Sequence, residues 1–83
     1  MSEYWSNHFE AVLREQIPQL PADAPIDPDQ QLADAGLNSL GVVRLLVRVE
    51  DEFGVSFPDD LITPEVFATP KALWSAVSGL VSP

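Results

Sequence analysis

Asp34-Ala35-Gly36-Leu37-Asn38-Ser39-Leu40-Gly41-Val42-Val43 is the stretch where a polar loop gives way to the most apolar helical segment of the chain. Asn38 suits an N-cap, because its side-chain oxygen can accept a bond from an unpaired amide of the first turn. Ser39 is then the first helical residue. Its hydroxyl sits where free amides and the positive end of the helix dipole favour an anion. A phosphate attached to Ser39 would be well placed there.

The helix opened by this stretch is predicted over residues 39–53, with Gly54 as a left-handed stop after Phe53. Gly41, Arg44, Arg48, Asp51 and Glu52 share one polar arc. Apart from Ser39 and Glu50, the rest is apolar and spans about 220°, far more than the roughly 100° that a surface helix buries. Val42, Val43, Leu45, Leu46, Val49 and Phe53 are expected in the core. Leu40 and Val47 abut the arginines and are expected to stay partly exposed, where apolar positions rimmed by charge mark partner contacts. Glu50, Asp51 and Glu52 crowd the C-terminal turn against the helix dipole, which fits either selection for recognition or simple tolerance within a well-packed helix.

Upstream, Trp5, Phe9, Val12, Leu13 and Ile17 recur at three- and four-residue spacing, which predicts a first helix over 3–16. Pro18 ends it, since the residue before a proline is pushed out of the α region. Residues 18–38 form a long connection with Ile26, Leu32 and Leu37 as its anchors and a turn at Asp27-Pro28-Asp29. Downstream, Asp59-Asp60-Leu61-Ile62 reads as a turn. Thr63-Pro64 and Thr69-Pro70 each place a cap before a proline suited to the first helical position. They predict a short third helix over 63–67 and a last helix from 70 to about 81, with Leu73, Val77, Leu80 and Val81 on its apolar face and Trp74 at the core rim. The fold class is all-α: a small four-helix bundle of three main helices and one short one, with a long loop between the first and second. Residues 1–83 form a single domain.

Composition removes several functions. Thirteen acids against four bases give a net charge of -9, which disfavours nucleic acid. There is no cysteine and one histidine, His8, so no metal cluster is expected. No apolar run is long enough for a membrane span and no signal peptide is evident, so a cytoplasmic monomer is expected. A serine nucleophile at Ser39 lacks the G-x-S-x-G elbow, a preceding strand and a partner base within the local sequence. No phosphate-binding glycine loop is present. Ser39 reads as a residue that is modified rather than one that attacks, and the chain as no enzyme in its own right.

Gly36-Leu37-Asn38-Ser39-Leu40 resembles the G-x-D-S-L signature of acyl carrier proteins and the related peptidyl carrier proteins. Val49 to Asp60 is similar to the acidic end of that family's second helix and its F-x-x-x-(I/F)-P-(D/E) link. Phe67-Ala68-Thr69-Pro70-Lys71-Ala72-Leu73 is similar to the start of its last helix. The likeness covers residues 26–81, and the first helix by position. It implies that Ser39 carries covalent 4'-phosphopantetheine, transferred from coenzyme A by a phosphopantetheinyl transferase, with Asn38 as the cap beside it. It implies a shuttle of thioester-bound acyl or aminoacyl groups, met by an adenylating or acyl-transferring loading enzyme and by downstream biosynthetic enzymes.

Two positions depart from the pattern. Asn38 replaces the usual Asp, serving as well for a cap but carrying no charge. Arg44 and Arg48 stand where fatty-acid carriers tend to have acids, so a basic docking surface should find this face less attractive. Modular peptidyl carriers have a double glycine before the serine, and Ala35-Gly36-Leu37 is closer to the acyl carrier type. The expectation is a free-standing carrier for polyketide or nonribosomal peptide synthesis, recognised through Leu40, Arg44, Val47 and Arg48. Alternatives are a housekeeping fatty acid carrier and a helical interaction module without a prosthetic group.

Overall fold

The computed structural model describes residues 5–20 and 24–81. The apolar stripe of the first helix turns inward as its spacing predicts: Trp5, Phe9, Val12, Leu13 and Ile17 are all buried. This helix, α1, runs Asn7–Gln16 rather than from residue 3. Extended Ser6 (φ -74°, ψ 159°) caps it and accepts a hydrogen bond from the Phe9 amide at 3.3 Å. Trp5 precedes the cap yet is buried, and its Nε1–H donates to Glu10 Oε1 at 3.1 Å. Residues 3 and 4 lie outside the described residues. At the other end Ile17 leaves helical geometry immediately before Pro18.

The connection to the second helix is packed onto the body. Ile26 and Leu32 are buried and Leu37 is half-buried, as expected, and Leu20 and Ala35 join them. Two backbone bonds strap the loop to the far end of the chain: Leu32 N to Ala68 O at 2.9 Å and Lys71 N to Pro28 O at 3.1 Å. The Asp27 carboxylate accepts the Asp29 amide at 2.9 Å and closes the expected turn. Gly36 sits at φ +97°, a left-handed conformation that strains any side-chain-bearing residue, so this turn favours glycine.

Helix α2 spans Ser39–Phe53 and stops at left-handed Gly54 (φ 63°). Leu45 and Val49 are fully buried, with Val42, Leu46 and Phe53 half-buried against the core. Val43 is exposed, which corrects its expected core position: the neighbouring elements cover only part of the wide apolar arc. The acids at its C-terminal turn have uses inside the fold. Glu50 Oε2 accepts the Phe57 amide at 2.7 Å and fixes the link that follows.

Asp59–Leu61 is a 3-10 turn. The short third helix is reduced to turns: Thr63 Oγ1 accepts the Val66 amide, Thr63 O the Phe67 amide and Glu65 O the Ala68 amide, and no regular helix forms. Pro70 is the reason, because it pushes Thr69 out of the α region and begins the next helix. Helix α3, Pro70–Val81, is capped by Thr69 Oγ1 on the Ala72 amide at 3.1 Å. Leu73 and Val77 are buried, while Val81 is exposed at the end. Among the described residues the architecture is therefore a small all-helical bundle of α1, α2 and α3 with single turns between the last two. No helix of these residues is long and apolar enough to cross a membrane.

The core centres on the Phe9 ring, whose centroid lies 5.0 Å from Trp74, 5.7 Å from Trp5 and 6.4 Å from Phe53. Phe9→Ala removes the ring shared by all three helices and should cost about 3–5 kcal/mol. A domain of this size is held by only ~0.05–0.15 kcal/mol per residue, so the variant should lose a large share of its stability and unfold at a much lower urea concentration. Urea denaturation followed by far-ultraviolet circular dichroism checks this; a variant with a near-wild-type midpoint would remove Phe9 from its central position.

Candidate attachment site at the start of α2

The loop delivers Asn38 to the start of α2 in an extended conformation (φ -113°, ψ -176°). Its Oδ1 accepts the Gly41 amide at 2.8 Å, and its carbonyl accepts the Val42 amide at 2.8 Å. The predicted cap is therefore present. A Cβ on Gly41 would stand 3.0 Å from Leu37 Cδ1 and 3.4 Å from Asn38 Oδ1, so a small residue keeps the cap and the Leu37 anchor undisturbed. Ser39 follows as the first residue of the helix and is exposed. The amides of the first turn beyond the capped one have no intrahelical acceptor and face an anion favourably.

Beside Ser39 lies an open groove of about 670 Å³. Leu37, Val42, Ile62, Pro64, Phe67 and Ala68 give it apolar walls, and Gln31, Asn38, Ser39 and Thr63 add polar groups. Its far wall is not legible in the local sequence, because residues 62–68 reach the start of α2 through tertiary packing. Exposed Ile62 within a polar link was the available signal.

The residues expected to meet partners separate into two sets. Leu40, Val47 and Arg44 are exposed on α2, together with Val43. Arg48 is instead engaged within the fold. Its Nε donates to Glu15 Oε2 of α1 at 2.7 Å, and its Nη atoms lie 3.5 Å from Glu52 Oε1 and 3.9 Å from Asp51 Oδ2. His8 is exposed on α1. No group of His, Asp and Glu among the described residues could hold a metal ion.

A family model for the phosphopantetheine attachment site matches residues 10–77. The chain belongs to this family of phosphopantetheine-bearing carrier proteins. It is a carrier and not itself an enzyme, and its prosthetic group is covalent 4'-phosphopantetheine. An interaction module without a prosthetic group is thereby set aside. The chain is 39% identical over 67 residues to aminoacyl carrier protein 2 of Bradyrhizobium diazoefficiens, covering 81% of this chain and 75% of that one. It superimposes with a TM-score of 0.70 and 32% identity on a chain in the crystal structure of an engineered Bradyrhizobium japonicum glycine:[carrier protein] ligase complexed with carrier protein from Agrobacterium tumefaciens and AMP, covering 86% of this chain and 95% of that chain. The Bradyrhizobium japonicum ligase complexed with its cognate carrier protein and an analogue of glycyl adenylate gives the same TM-score at 28% identity, with 89% and 99% covered.

The residues at the start of α2 fit such a group. The Ser39 hydroxyl is reachable, the helix start accommodates a phosphate, and the groove offers apolar walls beside it.

The clasp between α1 and α2 makes a pH-dependent contribution. Glu15 is held below its ordinary 4.5, first by the hydrogen bond from Arg48 and then by that from Gln16. The same bond to Glu15 raises Arg48, which stays charged throughout. A carboxylate depressed by folding stabilises fully above its unfolded value and loses that stabilisation as pH falls through the folded one. Glu15→Gln should therefore lower the urea midpoint at neutral pH, and the gap between the two proteins should narrow as pH falls below 4.5 and the wild-type carboxyl takes up its proton. A gap between the two proteins that persists on acidification would contradict the clasp.

Proposed function

We propose that this chain is an aminoacyl carrier, with its prosthetic group attached at Ser39 Oγ and its amino acid supplied by a separate adenylate-forming ligase. The observation that carries this reading is the exposed Ser39 hydroxyl on the first residue of a capped helix, within the stretch matched to the attachment-site family. The aminoacyl cargo is supported by the relatives: one is named an aminoacyl carrier protein, and the structural neighbours are carriers complexed with a glycine ligase.

Each part of the site then has a task. Asn38 ends the loop and fixes the first turn, a contribution of about 1 kcal/mol for a cap of this kind. The free amides and the helix dipole favour the negative phosphate by ~0.3–1 kcal/mol. The groove beside Ser39 gives an attached chain apolar surface on one side and water on the other. When bound, 4'-phosphopantetheine supplies a terminal thiol able to hold an amino acid as a thioester. Leu40, Val43, Arg44 and Val47 flank Ser39 along α2 and form the face that meets the transferase and the ligase.

An amino acid cargo favours the peptide-forming kind of specialised biosynthesis over fatty acid synthesis. The uncharged Asn38 and the cation at Arg44 point the same way, because both weaken attraction to a basic docking patch. The test is intact mass. The phosphopantetheine form, incubated with the Bradyrhizobium glycine:[carrier protein] ligase, ATP and glycine, should gain one glycyl group that alkaline hydroxylamine releases. An ATP-independent gain of an acyl group from an acyl-coenzyme A, with none from any amino acid, would replace the aminoacyl cargo by an acyl one.

A further inference from the structure

Leu40, Val43 and Val47 are 58%, 55% and 56% exposed. Their spacing places them in one row along α2, beginning next to Ser39. Exposed Arg44 lies beside that row and makes no hydrogen bond or ion pair among the described residues. The other described cations are placed differently. Arg14 donates to Glu10 and to Ala24 O, Arg48 is held by Glu15, Glu52 and Asp51, and Lys71 is on α3.

Charge on this face is segregated from charge on the rest of the protein. Thirteen acids are distributed along the chain, yet none occurs between Asn38 and Val49. The first carboxylate beyond the row on this side is Asp51, one turn after Val47, and it leans toward Arg48. Glu50 is turned to the Phe57 amide. A partner approaching Ser39 along α2 therefore meets three apolar side chains and one cation whose charge nothing in the described fold answers.

We propose that the ligase which loads this carrier docks an apolar patch bearing a carboxylate against this row, with that carboxylate pairing with Arg44. The proposal rests on the aminoacyl reading above and adds the sign of the partner's charge. Arg44 is a specificity-determining residue. Its planar guanidinium can take a carboxylate through two parallel bonds once the apolar row has excluded water. A partner that presents Lys or Arg at the same place meets like charge and is rejected.

Loading kinetics on the phosphopantetheine form test this, with the Bradyrhizobium glycine:[carrier protein] ligase, ATP and glycine. Arg44→Glu should raise KM for the carrier about tenfold or more with kcat nearly unchanged, because a contact made equally in ground and transition states is lost. Arg44→Lys keeps the charge without the paired bonds and should recover only part of that loss. Lys71→Glu changes the net charge by the same amount on α3 and should leave KM within about twofold, since a distant exposed charge is screened. Equal KM for wild type and Arg44→Glu overturns the proposal and leaves the aminoacyl reading standing. So does a lower KM for Arg44→Glu, which assigns a basic patch to the partner. Equal losses in Arg44→Glu and Lys71→Glu overturn it too, by reducing the effect to net charge. A wild-type protein that accepts no amino acid sinks the aminoacyl reading, and the proposal with it.

Discussion

Three helices meet on the ring of Phe9. Trp5 and Phe9 bring α1 to the centre, Phe53 comes from the last turn of α2, and Trp74 from the middle of α3. The ring of Phe53 marks where α2 is held, and Leu45 and Val49 continue that contact along its buried face. The start of α2 lies beyond this grip. Ser39 and Leu40 are exposed because the packing that secures the helix is made farther along it. Ser39, as the attachment residue proposed for this chain, has to be reachable by a modifying enzyme while its backbone stays fixed. Anchoring the helix by its far turns meets both needs.

The long loop serves the same end. Its bonds to Ala68 and Lys71 tie it to the segment that opens α3. That segment and the start of α2 are the two sides of the groove beside Ser39. Loosening the strap would move both the cap that starts α2 and the far wall. The loop thus positions the site as much as the helices do, which accounts for a connection of unusual length in so small a domain.

Local chemistry was readable from the residues. Asn38 capping α2, Gly54 ending it, Pro18 ending α1 and Thr69-Pro70 opening α3 each act through their own or adjacent backbone geometry, and each is found in place. The features that needed tertiary information were the ones misread. Val43 shares its arc with core residues, and only the placement of the neighbouring elements decides that it faces solvent. The Thr63-Pro64 turn stops short of a helix because the next proline lies too near. The acids after Arg48 looked like a misplaced charge cluster; Glu50 in fact caps the Phe57 amide, and Arg48 draws Glu15, Asp51 and Glu52 together. The carrier role was legible in Gly36-Leu37-Asn38-Ser39-Leu40, whereas the groove depends on residues distant in sequence.

The carrier function proposed for this chain depends on one atom, Ser39 Oγ. Treating the protein with coenzyme A and a broad-specificity transferase, then fragmenting it in the mass spectrometer, locates the added group directly. A single phosphopantetheine is expected on the peptide that contains Ser39 and none on Ser39→Ala. Modification at any other serine, or on Ser39→Ala as readily as on the wild type, would contradict it.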